Sequence, residues 1–155
     1  MNNNAVFPGS FDPFTLGHDS IIQKGLPLFD SITILVGQNS KKTSYFSAKN
    51  RLEWIRQLYH SEPRISVELL TGLTVDYCVN HNCNFILRGL RNTQDFQYES
   101  AIAQMNQAMQ KSVETLFLLC DPRYAAINSS IVREIHKNGG DIQQFVPFAI
   151  NQKEN

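Results

Sequence analysis

The chain has 155 residues, a length that suits one domain of ordinary size. Its 14 basic and 14 acidic residues cancel, so no net positive charge is available to attract nucleic acid or an acidic membrane surface. Hydrophobic residues make up 42% of the chain, which is enough for a packed core. Because the net charge is near zero, any phosphate group must be bound by a few individually placed cations. We expect a cytoplasmic protein without a membrane or nucleic-acid partner.

Short apolar runs alternate with helical patterns along the chain. Strands are predicted at 5–7, 32–36, 65–69, 85–87 and 115–119. Helices are predicted at 19–29, after Ser47, and at 74–82, 92–110 and 129–137, and a polar tail follows from about residue 148. This alternation predicts a single α/β domain over residues 1–155, with a doubly wound, five-stranded parallel sheet of Rossmann-like type.

Ligands bind such sheets beyond the carboxyl ends of the strands. The loops at that edge carry glycines, hydroxyl groups and isolated cations. Gly9 allows close approach of the backbone, Ser10 offers a hydroxyl and an N–H, and His18 stands in the first turn of a helix, where anions are favoured. Such a histidine can donate a hydrogen bond to a phosphoryl oxygen as charge develops. The loops therefore predict a phosphate-rich ligand.

Further candidates follow the later strands. Lys42 and Arg88 could hold a second anionic group, and Arg91 could act beside Arg88. Taken alone, Lys42 is equally well explained as a solvated loop lysine. Glu99 lies within the long predicted helix, where a surface position is the default interpretation. The serines at 129–130 could cap a helix or bind phosphate, because both use the same geometry.

Other nucleotide and nucleophile signatures are absent. The sequence has no GxGxxG after the first strand and no GxxxxGK[ST], which excludes the usual dehydrogenase and P-loop patterns. No Ser/His/Asp or Cys/His set indicates a covalent intermediate. The three cysteines, Cys78, Cys83 and Cys120, form no zinc-binding pattern and are expected to be buried free thiols.

Two motifs give a family resemblance. GSFDP at 9–13 with TLGH at 15–18 resembles the (H/T)xGH signature of the nucleotidyltransferase superfamily, and INSSIVR at 127–133 resembles its second motif. RGLR at 88–91, with DF at 95–96 and YE at 98–99, is similar to the phosphopantetheine adenylyltransferase family. The resemblance extends from about residue 5 to about residue 147.

The resemblance implies that an adenylyl group passes from ATP to phosphopantetheine, giving dephospho-coenzyme A and pyrophosphate by direct in-line attack. It also implies Mg²⁺ bound through the phosphates with no dedicated protein ligands, a homohexamer, and feedback by coenzyme A. Two alternatives stay open. One is a nucleotidyltransferase of the same superfamily that uses nicotinamide mononucleotide or a glycerol-phosphate-like acceptor with a different nucleotide. The other is a non-catalytic nucleotide-binding sensor, which would not need His18.

The resemblance also assigns roles by position. His18 would stabilise the transition state, and phosphopantetheine would be bound by Ser10, Lys42, Thr74 and Arg88. A one-residue slip would give Lys41 the role of Lys42. ATP would contact Ser10, Phe11, His18, Gly89, Leu90, Arg91, Glu99, Tyr124, Ala125, Ala126, Ile127, Asn128, Ser129 and Ser130. Ser10 stands where the family often has threonine, and Asn128 replaces the first serine of the second motif.

Overall fold

The computed structural model describes residues 3–38 and 43–151. Its strands are β1 (Asn4–Gly9), β2 (Ser31–Gly37), β3 (Ile65–Leu70), β4 (Phe85–Leu90) and β5 (Glu114–Leu119). Its α-helices are α1 (Leu16–Gly25), α2 (Ala48–Leu58), α3 (Thr74–Asn80), α4 (Thr93–Met109) and α5 (Ser129–Lys137), and short 3-10 helices span Pro122–Tyr124 and Gln143–Phe145. The predicted alternation of strands and helices is confirmed.

The five strands form one parallel sheet in the order β3-β2-β1-β4-β5. From β1 the chain moves outward through β2 to β3, then returns to the other side of β1 to form β4 and β5. The predicted doubly wound sheet is therefore confirmed. The winding direction reverses between β1 and β4, and that reversal is where sheets of this type bind ligands.

The central strands are buried on both faces, as parallel strands covered by helices must be. Ile34 of β2 packs with Ile22 of α1 and Ile55 of α2 in one cluster. Leu35, the next residue of β2, belongs to a second cluster on the opposite face with Cys78 of α3. Cys78, Cys83 and Cys120 are all free and buried, as predicted.

Two element boundaries differ from the prediction in ways that matter for the site. Helix α1 begins at Leu16 instead of residue 19, because Thr15 caps it. Strand β4 continues to Leu90 instead of ending at residue 87, because Arg88 and Gly89 still pair with Phe117 and Leu118 of β5. The sequence predicts Arg88 in the loop after the strand. In the structure it projects from the strand itself.

The segment after α5 packs onto α2. The Phe148 ring stacks on Trp54 with 5.5 Å between centroids, and Ile142 and Val146 are buried in the same cluster. Among the residues that the structure describes, no helix has both the length and the apolar character needed to cross a membrane.

Candidate active site

A cleft opens where β1 and β4 separate. The ladder between these strands ends at Val6 and Ile86, whereas the β1–β2 ladder continues to Gly9 and Val36. Beyond Val6 the two strands diverge and leave a cavity of about 540 Å³. Of the predicted site residues, this cavity is lined by Ser10, Phe11, His18, Arg88, Gly89, Arg91, Glu99, Ile127, Asn128, Ser129 and Ser130. The structure thus brings together residues from all three sequence motifs.

His18 is fixed by the first turn of α1. The Thr15 side chain accepts a hydrogen bond from the His18 backbone N–H at 3.4 Å, and the Thr15 backbone N–H donates to His18 Nδ1 at 2.9 Å. The two residues form a reciprocal capping box with histidine in the position usually taken by glutamate. Because Nδ1 accepts a hydrogen bond, the neutral ring carries its proton on Nε2.

The surroundings of His18 keep its ring neutral. Phe11 and Phe14 pack around it at centroid distances of 5.1 and 5.3 Å. Burial, followed by the positive charges of Arg88 and Arg91, lowers the pKa of His18 to about 3 from the usual 6.5. At neutral pH the side chain can therefore donate one hydrogen bond through Nε2–H, and it carries no positive charge.

Phe11 and Gly9 shape the first loop. Phe11 is buried and has a φ of 48°, a left-handed conformation that bulky residues rarely adopt. Its ring lies so close to Gly9 that a Cβ at residue 9 would stand 2.8 Å from the ring atoms. Gly9 is thus required for the Phe11 ring to lie under the loop, and that ring in turn packs against His18.

Arg88 bridges the gap between the separated strands. Its guanidinium donates to the Pro8 carbonyl of β1, and it pairs in bidentate fashion with the Glu99 carboxylate of α4, with 2.8 Å between Nε and Oε2. These three contacts use three of the five guanidinium N–H donors. Two N–H donors of Arg88 remain, and Glu99 orients the guanidinium that carries them.

Arg91 directly follows β4 and lines the cleft. Its Nε and backbone N–H both donate to Asp95 at 2.9 Å, and its Nη1 donates to the Ile127 carbonyl at 3.3 Å. The hydrogen bonds to Asp95 raise the pKa of Arg91 and lower that of Asp95. Arg91 therefore links the RGLR run to the second motif while remaining cationic.

The second motif joins the first at the start of α5. Asn128 caps the helix by accepting from the Ser130 N–H at 2.8 Å. The Ser129 hydroxyl donates to the Pro13 carbonyl at 3.0 Å, and Arg133 donates to the Asp12 carbonyl at 2.7 Å. Asn128 thus supplies the capping oxygen at the position where the family motif has a serine.

A second, smaller cavity of about 240 Å³ adjoins the first. The two share Pro8, Gly9, Arg88 and Glu99 in their walls. The predicted residue Thr74 lines the smaller cavity, whose other walls are mainly apolar and come from Leu70, Ile102 and Ala103, with the polar Asn106 among them. The predicted Lys42, and its alternative Lys41, lie outside the described residues.

Four of the predicted ATP contacts do not line either cavity: Leu90, Tyr124, Ala125 and Ala126. Leu90, at the end of β4, is buried. Asp95 and Tyr98 belong to the run that carries the family resemblance but were given no role by it, and both line the cleft. Arg51, which belongs to no motif, donates to the Ser10 carbonyl. Arg51 carried no sequence signal, because an arginine in a helix is usually solvated.

Among residues 3–38 and 43–151, no three or more His, Cys, Asp or Glu side chains are grouped so that they could hold a metal ion. The cleft offers cations, hydroxyl groups and backbone N–H groups, which are ligands for phosphates. Its chemistry is that of an anion-binding site with one neutral imidazole donor.

Known proteins resemble this sequence over nearly its whole length. The model of the cytidylyltransferase-like family matches residues 6–135. A phosphopantetheine adenylyltransferase from Flavobacterium psychrophilum is 48% identical over 149 residues, covering 96% of this chain and 98% of the relative. Another, from Cytophaga hutchinsonii, is 41% identical over 150 residues, covering 97% and 100%.

A solved structure supports the fold. The bifunctional NMN adenylyltransferase/ADP ribose pyrophosphatase from Francisella tularensis superposes with a TM-score of 0.71 at 18% identity, over 94% of this chain and 45% of that one. At this identity the likeness shows only the fold, whereas the similarity to the curated relatives extends over nearly the whole chain. The chain belongs to the phosphopantetheine adenylyltransferases, within the cytidylyltransferase-like family.

Proposed function

We propose that this chain transfers an adenylyl group from ATP to phosphopantetheine, producing dephospho-coenzyme A and pyrophosphate. The observation that carries the proposal is the junction of the two cavities at Pro8, Gly9, Arg88 and Glu99. Two ligands placed in the two cavities would bring their phosphates together beside Arg88. The names of the curated relatives supply the identity of the acceptor.

ATP occupies the larger cavity in this proposal. Arg91, Ser129 and Ser130 line it and can contact phosphate oxygens, and the first turn of α1 presents His18 to the α-phosphoryl group. Phosphopantetheine occupies the smaller cavity. The apolar side chains of Leu70 and Ile102 suit its methylene groups, and Asn106 can hydrogen-bond its amides.

The reaction is a direct displacement. An oxygen of the acceptor phosphate attacks the α-phosphorus of ATP, the bond from that phosphorus to the bridging oxygen breaks, and pyrophosphate leaves. His18 donates its Nε2–H to a non-bridging oxygen as negative charge accumulates there. Catalysis rests on positioning and on charge stabilisation, since the attacking and leaving groups both belong to the substrates.

Magnesium fits this site as an ion coordinated by the substrate phosphates. Among the described residues no cluster of three acidic, histidine or cysteine side chains competes for it, and Mg²⁺ commonly keeps several waters and binds through substrate phosphates. Bound there, it would neutralise charge on the triphosphate, while Arg88, Arg91 and His18 orient the reacting groups.

A second copy of the chain covers α4 in the proposed homohexamer. This helix has no buried residue, and Phe96, Met105 and Met109 on it are about half exposed or more. Leu119, at the end of the neighbouring β5, is 70% exposed. Light scattering should give six chains per particle, and Met105→Glu should lower that number. A monomeric parent protein would contradict the assembly.

Coenzyme A, which contains the product, would act as a feedback inhibitor by competing for the same two cavities. Its inhibition should be relieved by raising the phosphopantetheine concentration. Three buried free thiols suit the reducing cytoplasm, which is the compartment we propose.

Pyrophosphate release from ATP with a panel of acceptors tests the proposed function. The panel contains phosphopantetheine, nicotinamide mononucleotide, nicotinate mononucleotide and glycerol 3-phosphate. Phosphopantetheine should give the largest kcat/KM by far. Preference for another acceptor would overturn the substrate assignment, and no release with any acceptor would favour the non-catalytic sensor.

A further inference from the structure

Arg51 is the largest fully buried side chain of the described residues, with only 1% of its surface exposed. It lies in the first turns of α2. Burying a guanidinium is costly unless it is hydrogen-bonded, and it is usually paired with a carboxylate. Among the described residues, no carboxylate lies within ion-pair distance of Arg51. Its hydrogen-bond partners are instead neutral oxygen atoms. Burial lowers the pKa of Arg51, and the charge of the nearby Asp12 carboxylate opposes that effect.

Those oxygen atoms belong to two segments at the ligand-binding edge of the sheet. Nη1 donates to the Ser10 carbonyl and to the Gly37 carbonyl, the latter at 3.0 Å. Nε donates to the Phe46 carbonyl at 3.1 Å, and Nη2 donates to the Ser44 hydroxyl at 3.1 Å. Four of the five guanidinium donors are therefore used, in three different directions.

The two Nη1 contacts lie where the sheet ends. The β1–β2 ladder stops at Gly9 and Val36, so the carbonyls of Ser10 and Gly37 lie just beyond it. Arg51 satisfies both carbonyls with one nitrogen and thereby continues the connection between the strands beyond the last ladder pair. The Ser10 main chain is thus fixed by a side chain that never reaches the cleft surface.

The other contacts of Arg51 are to residues 44–46, the part of the β2–α2 connection that leads into α2. Ser44 and Phe46 are bonded to Arg51, and the Asp12 carboxylate accepts from the backbone N–H groups of Tyr45 and Phe46 at 2.8 Å each. The first loop, through Ser10 and Asp12, is therefore bound to residues 44–46 by two independent sets of hydrogen bonds.

We propose that Arg51 is a positioning residue for the adenylyl transfer. It holds the Ser10 main chain in place at the wall of the cleft, where the Ser10 hydroxyl and backbone N–H can meet a phosphate. The inference rests on the proposed function. The role requires the arginine fork, because a lysine ammonium cannot reach carbonyls in three directions from one place.

The first test compares Arg51→Lys with Arg56→Lys. Arg56 is an arginine of the same helix that also bonds a backbone carbonyl, that of Val67, but away from the cleft. Rates are expressed per ATP-binding site counted by calorimetry, at a temperature where circular dichroism shows each variant folded. Arg51→Lys should lower kcat and kcat/KM together by about tenfold or more, the pattern of a contact needed in the transition state.

Arg56→Lys should stay within about threefold of the parent enzyme, as a contact outside the site should. A general loss of stability would reduce the number of binding sites and leave the rate per site unchanged. Equal rates per site for Arg51→Lys and Arg56→Lys would overturn the proposal. An inactive parent enzyme would instead contradict the proposed function, so the two failures are distinguishable.

Ser44→Ala provides a second test if Arg51→Lys does not fold. It removes one acceptor from Arg51 while leaving the guanidinium its three carbonyl partners. The rate per site should fall by about threefold to tenfold, the factor that corresponds to one neutral hydrogen bond. The control is Ser61→Ala, which removes a hydroxyl that hydrogen-bonds His60 on the exposed surface. A rate equal to that control would overturn the proposal.

Discussion

The Nδ1 atom of His18 accepts a hydrogen bond from the backbone N–H of Thr15 at 2.9 Å. This contact fixes the tautomer, because a ring nitrogen that accepts cannot carry the proton. The Nε2–H is then the hydrogen-bond donor of the neutral ring, and His18 lines the cleft. The same contact belongs to the capping box that begins α1, so the donor is oriented by the residues that start the helix.

His18→Ala should therefore reduce turnover and leave ATP binding largely intact. We expect kcat to fall by about 100-fold to 1,000-fold, the range for the loss of one transition-state donor. Steady-state kinetics gives the rate, and calorimetry gives the ATP affinity. Unchanged turnover would remove His18 from the mechanism.

The protonation of His18 is directly measurable. With its pKa lowered to about 3, the ring should stay neutral and Nε2-protonated between about pH 5 and pH 8, where ordinary histidines titrate. Nitrogen NMR of labelled imidazoles would report both properties. A titration near pH 6.5 would contradict the structure.

The same lowered pKa affects stability. The unfolded chain binds the His18 proton more readily than the folded chain does, so the contribution of His18 to the free energy of unfolding is fully present above pH 6.5. It is lost as the pH falls towards 3. In His18→Ala the free energy of unfolding should therefore fall less over this interval, as measured by denaturant titration. Equal acid sensitivity would argue against the lowered pKa.

Arg88→Ala should weaken phosphopantetheine binding more than ATP binding. Among the described residues Arg88 is the one cation that lines the smaller cavity, whereas Arg91 also lines the larger one. Glu99→Gln is the companion variant. It retains a hydrogen-bonding side chain but removes the charge that holds the guanidinium, and we expect a smaller effect of the same kind. Separate calorimetric titrations with ATP and with phosphopantetheine give the affinity of each variant for each substrate. Weaker ATP binding alone in Arg88→Ala would refute the placement.

Gly89 sets the distance between β4 and α1. A Cβ at residue 89 would lie 2.7 Å from Cγ1 of the buried Ile21, so Gly89→Ala should force α1 outward and displace His18. We expect a loss of about 1–3 kcal/mol in stability, together with lower turnover.

Combining Gly89→Ala with Ile21→Ala should cost less than the sum of the two single changes, because the second change removes the clashing atoms. Denaturant unfolding of all four proteins in this cycle measures the coupling. Additive losses would show that the clash is relieved in another way.

The sequence predicts the sheet because β-branched runs and helical spacing alternate over the whole chain. It also places Gly9, His18 and Arg88 at one edge, since the carboxyl ends of parallel strands share an edge. The bond between Arg88 and Glu99 could not be predicted, because it joins a strand to a helix at a spacing with no local rule. Arg51 was missed for a related reason: only tertiary packing distinguishes it from solvated helix residues such as Arg56.

The sequence predicts that β4 ends at residue 87, because arginine and glycine are typical of loops. Arg88 and Gly89 nevertheless extend the strand, because they pair with β5, and that pairing is not visible in the local sequence. The role of Lys42 in phosphate binding, and the single domain with a polar tail after about residue 148, remain predictions.

In the proposed mechanism the cleft transfers the adenylyl group directly between two bound substrates. The most direct measurement uses ATP made chiral at the α-phosphorus with sulfur, followed by determination of the configuration at that phosphorus in the dephospho-coenzyme A product. A single in-line displacement predicts inversion. Retention would indicate two displacements through a covalent enzyme intermediate, and it would contradict the roles assigned to His18 and Ser10.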